Sequence, residues 1–489
     1  MVDMLPQANI LILQFLALLG ALVIWIFLRR NAQAAGVLAL LFALAQLVFT
    51  VVMLYLLPSA ATFSVNIGLT ITFQLDSLAG IALLVISGAT VIAVLYSFRA
   101  KQTPARTPSF YALMLLVLFG TTGVALARDL IQFYIFWEAM LIPAWFLVLN
   151  WNEQPEKARY TGLKFFIITH VGAVLMLASI LWIVALAGTG NMDALAGFLP
   201  TLPAGTLTAM AALFLMGFIV KLAIFPFHTW LPDAYTSAVM PVTLILVGVM
   251  TNIGIYGMAR FLPFFPSTGT APLSLPLLIA AVVTMFYGGA MALVEKNIKR
   301  VVAYSSISQM GYVLFGFATL LPLGFGGSIF NLFNQAATKL ALFIALGMVA
   351  EQAGTYQIDA LGGWAKRLPL AGVVATAAML SLVGAPPMLG FWPEFLTFSA
   401  GFQTGQIAIT ILALVATVLS AAYALRLIRF TFFGPLTAKA EGPLLRPAWT
   451  GTLALLICFL VLLVFGVYPA PAFELVRQAL SFIGFGLGG

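Results

Sequence analysis

The chain has 489 residues, 63% of them hydrophobic and only 7% Asp, Glu, Lys or Arg. A soluble domain is about 25% charged, and none has interior enough to bury this much apolar surface. The formal charge of +8 is dispersed in short loops between apolar runs, which is a topology signal and not a nucleic-acid surface. Stretches such as 277–283 and 453–467 are apolar on every face, which excludes the alternating pattern of a membrane β-barrel. The single cysteine, Cys458, excludes a disulfide framework or a cysteine-built metal site within the chain.

From the N-terminus onward, polar, Pro and Gly clusters divide the sequence into about fourteen spans of the ~20 apolar residues a crossing helix needs. They start near residues 8, 35, 78, 109, 129, 162, 205, 241, 273, 301, 326, 370, 406 and 449. The first is followed by Arg29 and Arg30 and lacks a basic leader region, so it reads as a mature helix and not a signal peptide. Loops after odd-numbered spans hold Arg29, Arg30, Arg99, Lys101, Arg106, Lys157, Arg159, Lys164, Lys296, Lys299, Arg300, Lys366, Arg367, Arg426, Arg429, Lys439 and Arg446. The opposite side holds only Arg128, Arg260 and Arg477. This bias puts both termini on the outer side of the membrane, which is expected to be a bacterial inner membrane. No loop is long enough for a soluble domain, so the expected fold is a single all-α polytopic membrane domain.

Spans four to eight and nine to thirteen follow the same schedule, each pair offset by about 165 residues. Five is an odd number, so the second unit is inverted relative to the first. Helices seven and twelve are each broken by proline: Pro226 within Phe225-Pro-Phe-His-Thr-Trp-Leu-Pro232, and Pro386-Pro387 within 384–390. The chain then divides into 1–105 (helices one to three), 106–265 (first five-helix repeat), 266–435 (inverted second repeat) and 436–489 (helix fourteen).

An ionisable group at a helix centre costs at least ~2.5 kcal/mol, so such residues usually mark a pathway. Asp3, Asp76, Asp129, Glu153, Glu156, Asp193, Asp233, Glu295, Glu351, Asp359, Glu441 and Glu474 fall in loops or at span ends. What remains inside is Glu138 in span five, Lys221 in span seven, Lys339 in span eleven and Glu394 in span twelve. Lys221 and Glu394 flank the two proline breaks, where unwound backbone frees carbonyls and amides and admits water. A Glu–Lys pair in low dielectric is a switch: close together both groups stay charged, and apart desolvation favours their neutral forms. The competing reading of Glu138 and Lys221 is a static bridge, although a buried bridge stabilises poorly relative to apolar packing. For Lys339 the alternative is snorkelling toward an interface.

The chain has two histidines. His228, in the break after Lys221, is a candidate to relay protons to the outside through its near-neutral titration; its alternative is a loop-capping hydrogen bond. His170, early in span six, either extends a proton wire or is a satisfied packing histidine. Two histidines without an acid cluster make no metal site.

Four segments are together similar to the antiporter-like subunits of respiratory complex I, most closely the chain M (subunit 4) type. They are Phe133-Tyr-Ile-Phe-Trp-Glu-Ala-Met-Leu-Ile-Pro143, Lys221 with Phe225-Pro-Phe-His-Thr-Trp-Leu-Pro-Asp-Ala234, Lys299-Arg-Val-Val-Ala-Tyr-Ser-Ser-Ile-Ser-Gln-Met-Gly311, and 384–395 ending in Pro393-Glu394-Phe395. The resemblance covers nearly the whole chain, strongest from about Asp129 to Phe402. It implies a proton-translocating module driven by quinone reduction in neighbouring subunits. Glu138 and Lys221 would be its essential pair, Lys339 the central lysine of the second unit and Glu394 its terminal acid. It also implies no cofactor on this chain, with NADH, FMN, iron–sulfur clusters and quinone on partner subunits. Two departures stand out. Asn252, in Met250-Thr-Asn-Ile-Gly-Ile-Tyr-Gly257, occupies the place of the family's span-eight lysine, and Thr236-Ser-Ala-Val-Met-Pro241 replaces an expected Glu-Ala-Pro. Water or His170 would then bridge toward Lys339. His170 is also closer to subunits of membrane-bound hydrogenases.

The expected function is a proton-pumping membrane subunit of a complex I-type NAD(P)H/quinone oxidoreductase. The alternative is a subunit of a multisubunit sodium/proton antiporter or membrane-bound hydrogenase. A structural spacer is a third possibility, opposed by the four intramembrane charges. No nucleotide-binding glycine loop or nucleophile triad is present in the sequence.

Overall fold

A computed structural model describes residues 4–56, 61–66, 70–98, 107–435, 437 and 448–485. The loop bases Arg99, Lys101, Arg106, Lys439 and Arg446 and the acids Asp3 and Glu441 lie outside these residues. Among the described residues thirteen helices are long and apolar enough to cross a membrane. The first six spans are Met4–Phe27, Ala32–Leu56, Ser77–Ser97, Pro108–Leu126, Leu130–Asn150 and Pro155–Ala187. Span seven is Ala204–Lys221 followed by the short helix Trp230–Ser237. Span eight runs Met240–Ile245, through a π turn Leu246–Met250, into Thr251–Phe261. Spans nine to eleven are Ser267–Val294, Ile298–Ala318 and Pro322–Ala353. Span twelve is broken into Pro369–Leu382 and Phe391–Gln403, which makes the fourteenth crossing. Span thirteen is Ile407–Ile428, and span fourteen is Trp449–Val467.

The boundaries shift where charges sit on first turns. Span six begins at Pro155, with Pro in the first turn and Glu156 beside it, both favoured at a helix N-terminus. Lys157, Arg159 and Lys164 therefore lie on its opening turns and not in a loop. Lys299 and Arg300 likewise open span ten, and Asp233 lies in the short helix of span seven.

The same devices recur twice in the same order. Asp129 caps span five through the amides of Ile131 and Gln132, and Asn297 caps span ten through those of Lys299 and Arg300. Each cap residue also forms an isolated antiparallel bridge, Asp129 with Asn191 and Asn297 with Gln357. Spans six and eleven both end on a glycine in the left-handed region, Gly188 at φ 69° and Gly354 at φ 64°, where other residues would be strained. A Cβ on Gly120 would press on the Met140 backbone and one on Gly288 on the Ser308 backbone, so spans four and five, and nine and ten, cross on glycine. Spans seven and twelve are both interrupted, each with a cis X-Pro bond, Phe225–Pro226 and Pro386–Pro387.

Spans eight, ten and eleven are enclosed through their central stretches, while spans one, two, thirteen and fourteen are mostly uncovered. The outer spans present Trp25, Val48, Val418 and Val464 to the surroundings, as lipid-facing helices must. A polar residue in the enclosed trio therefore has only protein, or water held by protein, to pair with.

Two elements were not anticipated. Strands β1 (Ala61–Asn66) and β2 (Thr70–Leu75) form an antiparallel hairpin in register Ala61↔Leu75 to Asn66↔Thr70. Its second strand lies over the start of span five, with the Arg128 amide donating to the Thr72 carbonyl and the Thr72 amide to the Gln132 side chain. The helix Ala470–Phe482 follows span fourteen, burying Ala472, Val476 and Leu480 and leaving Glu474 paired with Arg477 outside.

Asp76 and Arg260 lie at span ends, as their positions suggest, but they are buried and paired. The Arg260 Nη2 is 2.7 Å from both Asp76 carboxylate oxygens, and the two side chains are 7% and 1% exposed. Asp76 also caps span three, accepting from the Ala79 amide. Asp76→Asn keeps the cap and takes the countercharge from the guanidinium, which retains its bond to the Tyr256 hydroxyl; Asp76→Ala removes the cap as well. Breaking a buried pair costs about 3–5 kcal/mol and losing a cap about 1 kcal/mol more. Thermal unfolding of the purified protein should therefore rank parent, Asn and Ala in falling stability. Equal stability of the three would mean the pair is not holding spans three and eight together.

Candidate functional site

Two of the four intramembrane charges sit where helix geometry favours their sign. Lys221 is the last residue of the first half of span seven, and Glu394 is in the first turn of the second half of span twelve. A cation at a helix C-terminus and an anion at an N-terminus both meet the favourable end of the helix dipole. Lys221, Lys339 and Glu394 are buried, whereas Glu138 retains 20% side-chain exposure.

Glu138 and Lys221 face the same space without touching. Among the described residues Glu138 has no lysine within ion-pair distance; its neighbour is His170, with Nδ1 3.2 Å from Oε2. That approach lacks hydrogen-bond alignment, and Oε1 is buried without a partner. The Lys221 ammonium lies over the ring of Trp137, 5.4 Å from its centroid, a cation–π arrangement. Trp137 is held by Phe133 and, edge-on, by Phe218, at 5.7 and 5.4 Å. The structure thus places His170 beside Glu138.

At the break, the Trp230 indole donates to the Val220 carbonyl at 3.0 Å, which also accepts from the Ala223 amide at 3.1 Å. His228 stacks on Phe225 at 5.5 Å and meets Tyr287 at 4.5 Å with the rings tilted by 57°. It lies beyond Lys221 toward the end of span seven, where Asp233 binds Lys164 at 2.6 Å and Arg300 at 3.0 Å. That end of span seven is rich in basic residues, with Lys164, Lys299 and Arg300 gathered there. Lys299, 1% exposed, binds Glu153 at 3.0 Å and the Ala238 carbonyl at 2.9 Å. These contacts fasten the short helix of span seven to spans six and ten.

Span eight joins the two halves. Gly254 packs against the Lys221 side chain, and Gly248 of the π turn packs against Leu340, next to Lys339. Asn252 donates from Nδ2 to the Gly248 carbonyl at 2.9 Å, inside the π turn, and its Oδ1 is buried without a partner. π turns frequently mark functional positions in helices. Asn252 can orient water but cannot hold a proton as lysine can. Asn252→Asp would set a fixed acid between the halves, so proton uptake by the assembled complex should fall several-fold. Unchanged uptake with an unchanged pH profile would take position 252 off the route.

Lys339 does not snorkel. It is 1% exposed and donates to the Ser305 hydroxyl at 2.7 Å. One turn further along span ten, Gln309 donates to the Leu382 carbonyl freed at the second break, at 2.9 Å. Its Oε1 accepts from Gln335 at 3.1 Å, and its side chain also reaches Glu394. Span eleven adds Asn331, Asn334 and Thr338, and Asn334 Oδ1 accepts from Thr338 and from Ser381 at 2.9 and 3.0 Å. Glu394 ends this seam, beside a crevice of ≈ 360 Å³ lined by Phe395, Phe402 and Thr417. Counting charges alone missed the neutral members. Asn331, Asn334, Gln335, Thr338 and Lys339 recur at helical spacing in an otherwise apolar span, a stripe readable from sequence.

A many-spanning helical bundle with broken helices and ionisable groups at the breaks is the architecture of membrane transport folds. The chain belongs to the family described as NADH:quinone oxidoreductase/Mrp antiporter, TM, whose model matches residues 127–420. It is 33% identical over 425 residues to the F(420)H(2) dehydrogenase subunit M of Methanosarcina mazei, covering 83% of each chain. It is 32% identical over 419 residues to the NADH-quinone oxidoreductase subunit M of Rhodobacter capsulatus, covering 82% of this chain and 80% of that one. A solved chain of the membrane-bound sulfane sulfur reductase, an archaeal respiratory membrane complex, superposes with a TM-score of 0.88 at 27% identity over 97% of both chains.

Proposed function

We propose that this chain is the proton-translocating, antiporter-like membrane subunit of a complex I-type respiratory complex, driven by quinone reduction on partner subunits. The observation that carries the reading is the buried polar seam. Lys339, Ser305, Gln309 and Glu394 follow one another across the second unit, and Lys221, Asn252 and Glu138 stand in the first. The two units, 106–265 and 266–435, act as inverted repeats; their matched caps, glycine crossings and breaks support this division. Both termini lie on the outer side. NADH or another donor, flavin, iron–sulfur clusters and quinone belong to partner chains, and this chain carries no redox chemistry of its own.

The test is to purify the intact complex, identify its other chains, and follow proton uptake in sealed vesicles on adding electron donor and quinone. Uptake coupled to turnover is expected, and turnover without uptake would refute a pumping role. A second reading, a subunit of a sodium/proton antiporter or of a hydrogenase- or sulfur-reductase-like complex, is favoured by Asn252 in place of the usual lysine and by the 0.88 superposition. Uptake that requires sodium, or a complex without quinone-site chains, would select it.

A further inference from the structure

We propose that His170 is a second, competing partner of Glu138, so that the carboxylate alternates between His170 and Lys221. This rests on the Glu138–Lys221 switch of the proposed function and names the group that holds the carboxylate when the switch is open. Three observations carry it. Glu138 Oε2 stands 3.2 Å from His170 Nδ1, while Lys221 is over Trp137 and outside ion-pair distance. The His170 ring is held parallel to Phe166, 10° between planes and 5.3 Å between centroids, which keeps its orientation fixed next to span five. Glu138 Oε1 is buried without a partner, leaving an acceptor for the ammonium when the pair closes.

The alternation is a matter of differential contact. Bound to His170, Glu138 leaves Lys221 to the ring of Trp137; bound to Lys221, it leaves His170 stacked on Phe166. Each state gives the carboxylate one partner and leaves the other side chain packed on its aromatic ring, so a small bias moves the population. The other titratable group facing this space is Tyr134, which contacts Glu138; Lys164, on span six itself, is held away from it by Asp233. His170 is thus a positioning residue: it acts on the proton path by setting where Glu138 points.

The experiment is zero-length cross-linking in the assembled complex. A hydrophobic carbodiimide activates the Glu138 carboxyl, the Lys221 amine displaces the urea, and an amide joins the two only if they are in contact. Cross-linked peptide is quantified by mass spectrometry. His170→Phe preserves the ring stack and removes the competing polar partner. It should raise the Glu138–Lys221 cross-link several-fold and slow proton uptake, because the pair is held closed. His170→Gln, which keeps an N–H donor, should bring the cross-link back toward the parent yield. Equal yields in parent and His170→Phe would overturn the proposal, as would a His170→Gln yield as high as that of His170→Phe. If His170→Phe fails to assemble, parent and His170→Gln are compared with His170→Leu in its place, under the same two criteria. The readout does not depend on pumping. Normal uptake in Glu138→Gln would refute the switch, whereas an unaltered cross-link with a non-pumping Glu138→Gln would refute only the role of His170.

Discussion

Glu138→Gln in an assembled complex is expected to lower proton uptake by about tenfold or more, equivalent to ~1.4 kcal/mol or more in the barrier. The amide keeps the size of the side chain and its place near His170, so packing in span five should survive. What is lost is the charge that both His170 and Lys221 compete for. Lys221→Met should do comparable damage from the other side, removing the cation that lies on Trp137 while filling its space. Because the two groups act as one unit, the double variant should be hardly worse than either single one. Glu138→Asp retains the charge and loses one methylene of reach, so partial activity is expected. Proton uptake and donor–quinone turnover in vesicles, with assembly checked by native mass, measure this. Full coupled uptake in assembled Glu138→Gln would leave Glu138 as a structural contact only.

At the far end of the seam, Glu394→Gln should reduce uptake by about the same factor while leaving the complex intact. An amide can keep the contact with Gln309 and fit the first turn of its half-helix, but it carries no exchangeable charge through the crevice beside it. Gln309→Leu is the informative companion. It leaves Glu394 in place but removes the contact that links it to span ten, along with the bonds to the Leu382 carbonyl and to Gln335. If the seam is a conduction route, Gln309→Leu slows uptake although no ionisable residue has changed. If Glu394→Gln pumps normally, the terminal acid is not on the route; if only Gln309→Leu pumps normally, the route leaves span ten before Gln309.

Much of this was legible in the sequence because a membrane imposes hydropathy and charge rules directly on residues. The fourteen crossings, the breaks at Pro226 and Pro386-Pro387 and the burial of Lys221, Lys339 and Glu394 all follow from where charge and proline interrupt apolar runs. Burial at span ends was not legible: Asp76 and Arg260 look like ordinary interfacial residues until the fold brings spans three and eight together. The same holds for Glu138, whose nearest basic side chain is decided by side-chain directions on spans five, six and seven and not by counting acids and bases. The hairpin at 61–75 could have been found, since Thr70-Ile-Thr-Phe-Gln-Leu75 alternates with β-branched residues, but it was hidden among apolar neighbours. The helix Ala470–Phe482 likewise carries its buried residues at three- and four-residue spacing.

The enclosure of spans eight, ten and eleven bears on how the chain is made. Span ten is the least apolar of the thirteen crossing helices, because Ser305, Ser308, Gln309 and Tyr312 look onto protein and never onto lipid. The translocon, however, judges each segment as it emerges, on its own affinity for lipid. A helix selected for its polar face in the finished bundle is a poor candidate for independent insertion. Span ten must therefore be retained by span nine, the strongly apolar neighbour with which it crosses on Gly288, or by the helices that follow it. The residues that suit the interior to ions thus make biogenesis of the second unit a cooperative event, in which peripheral helices act as chaperones for the core.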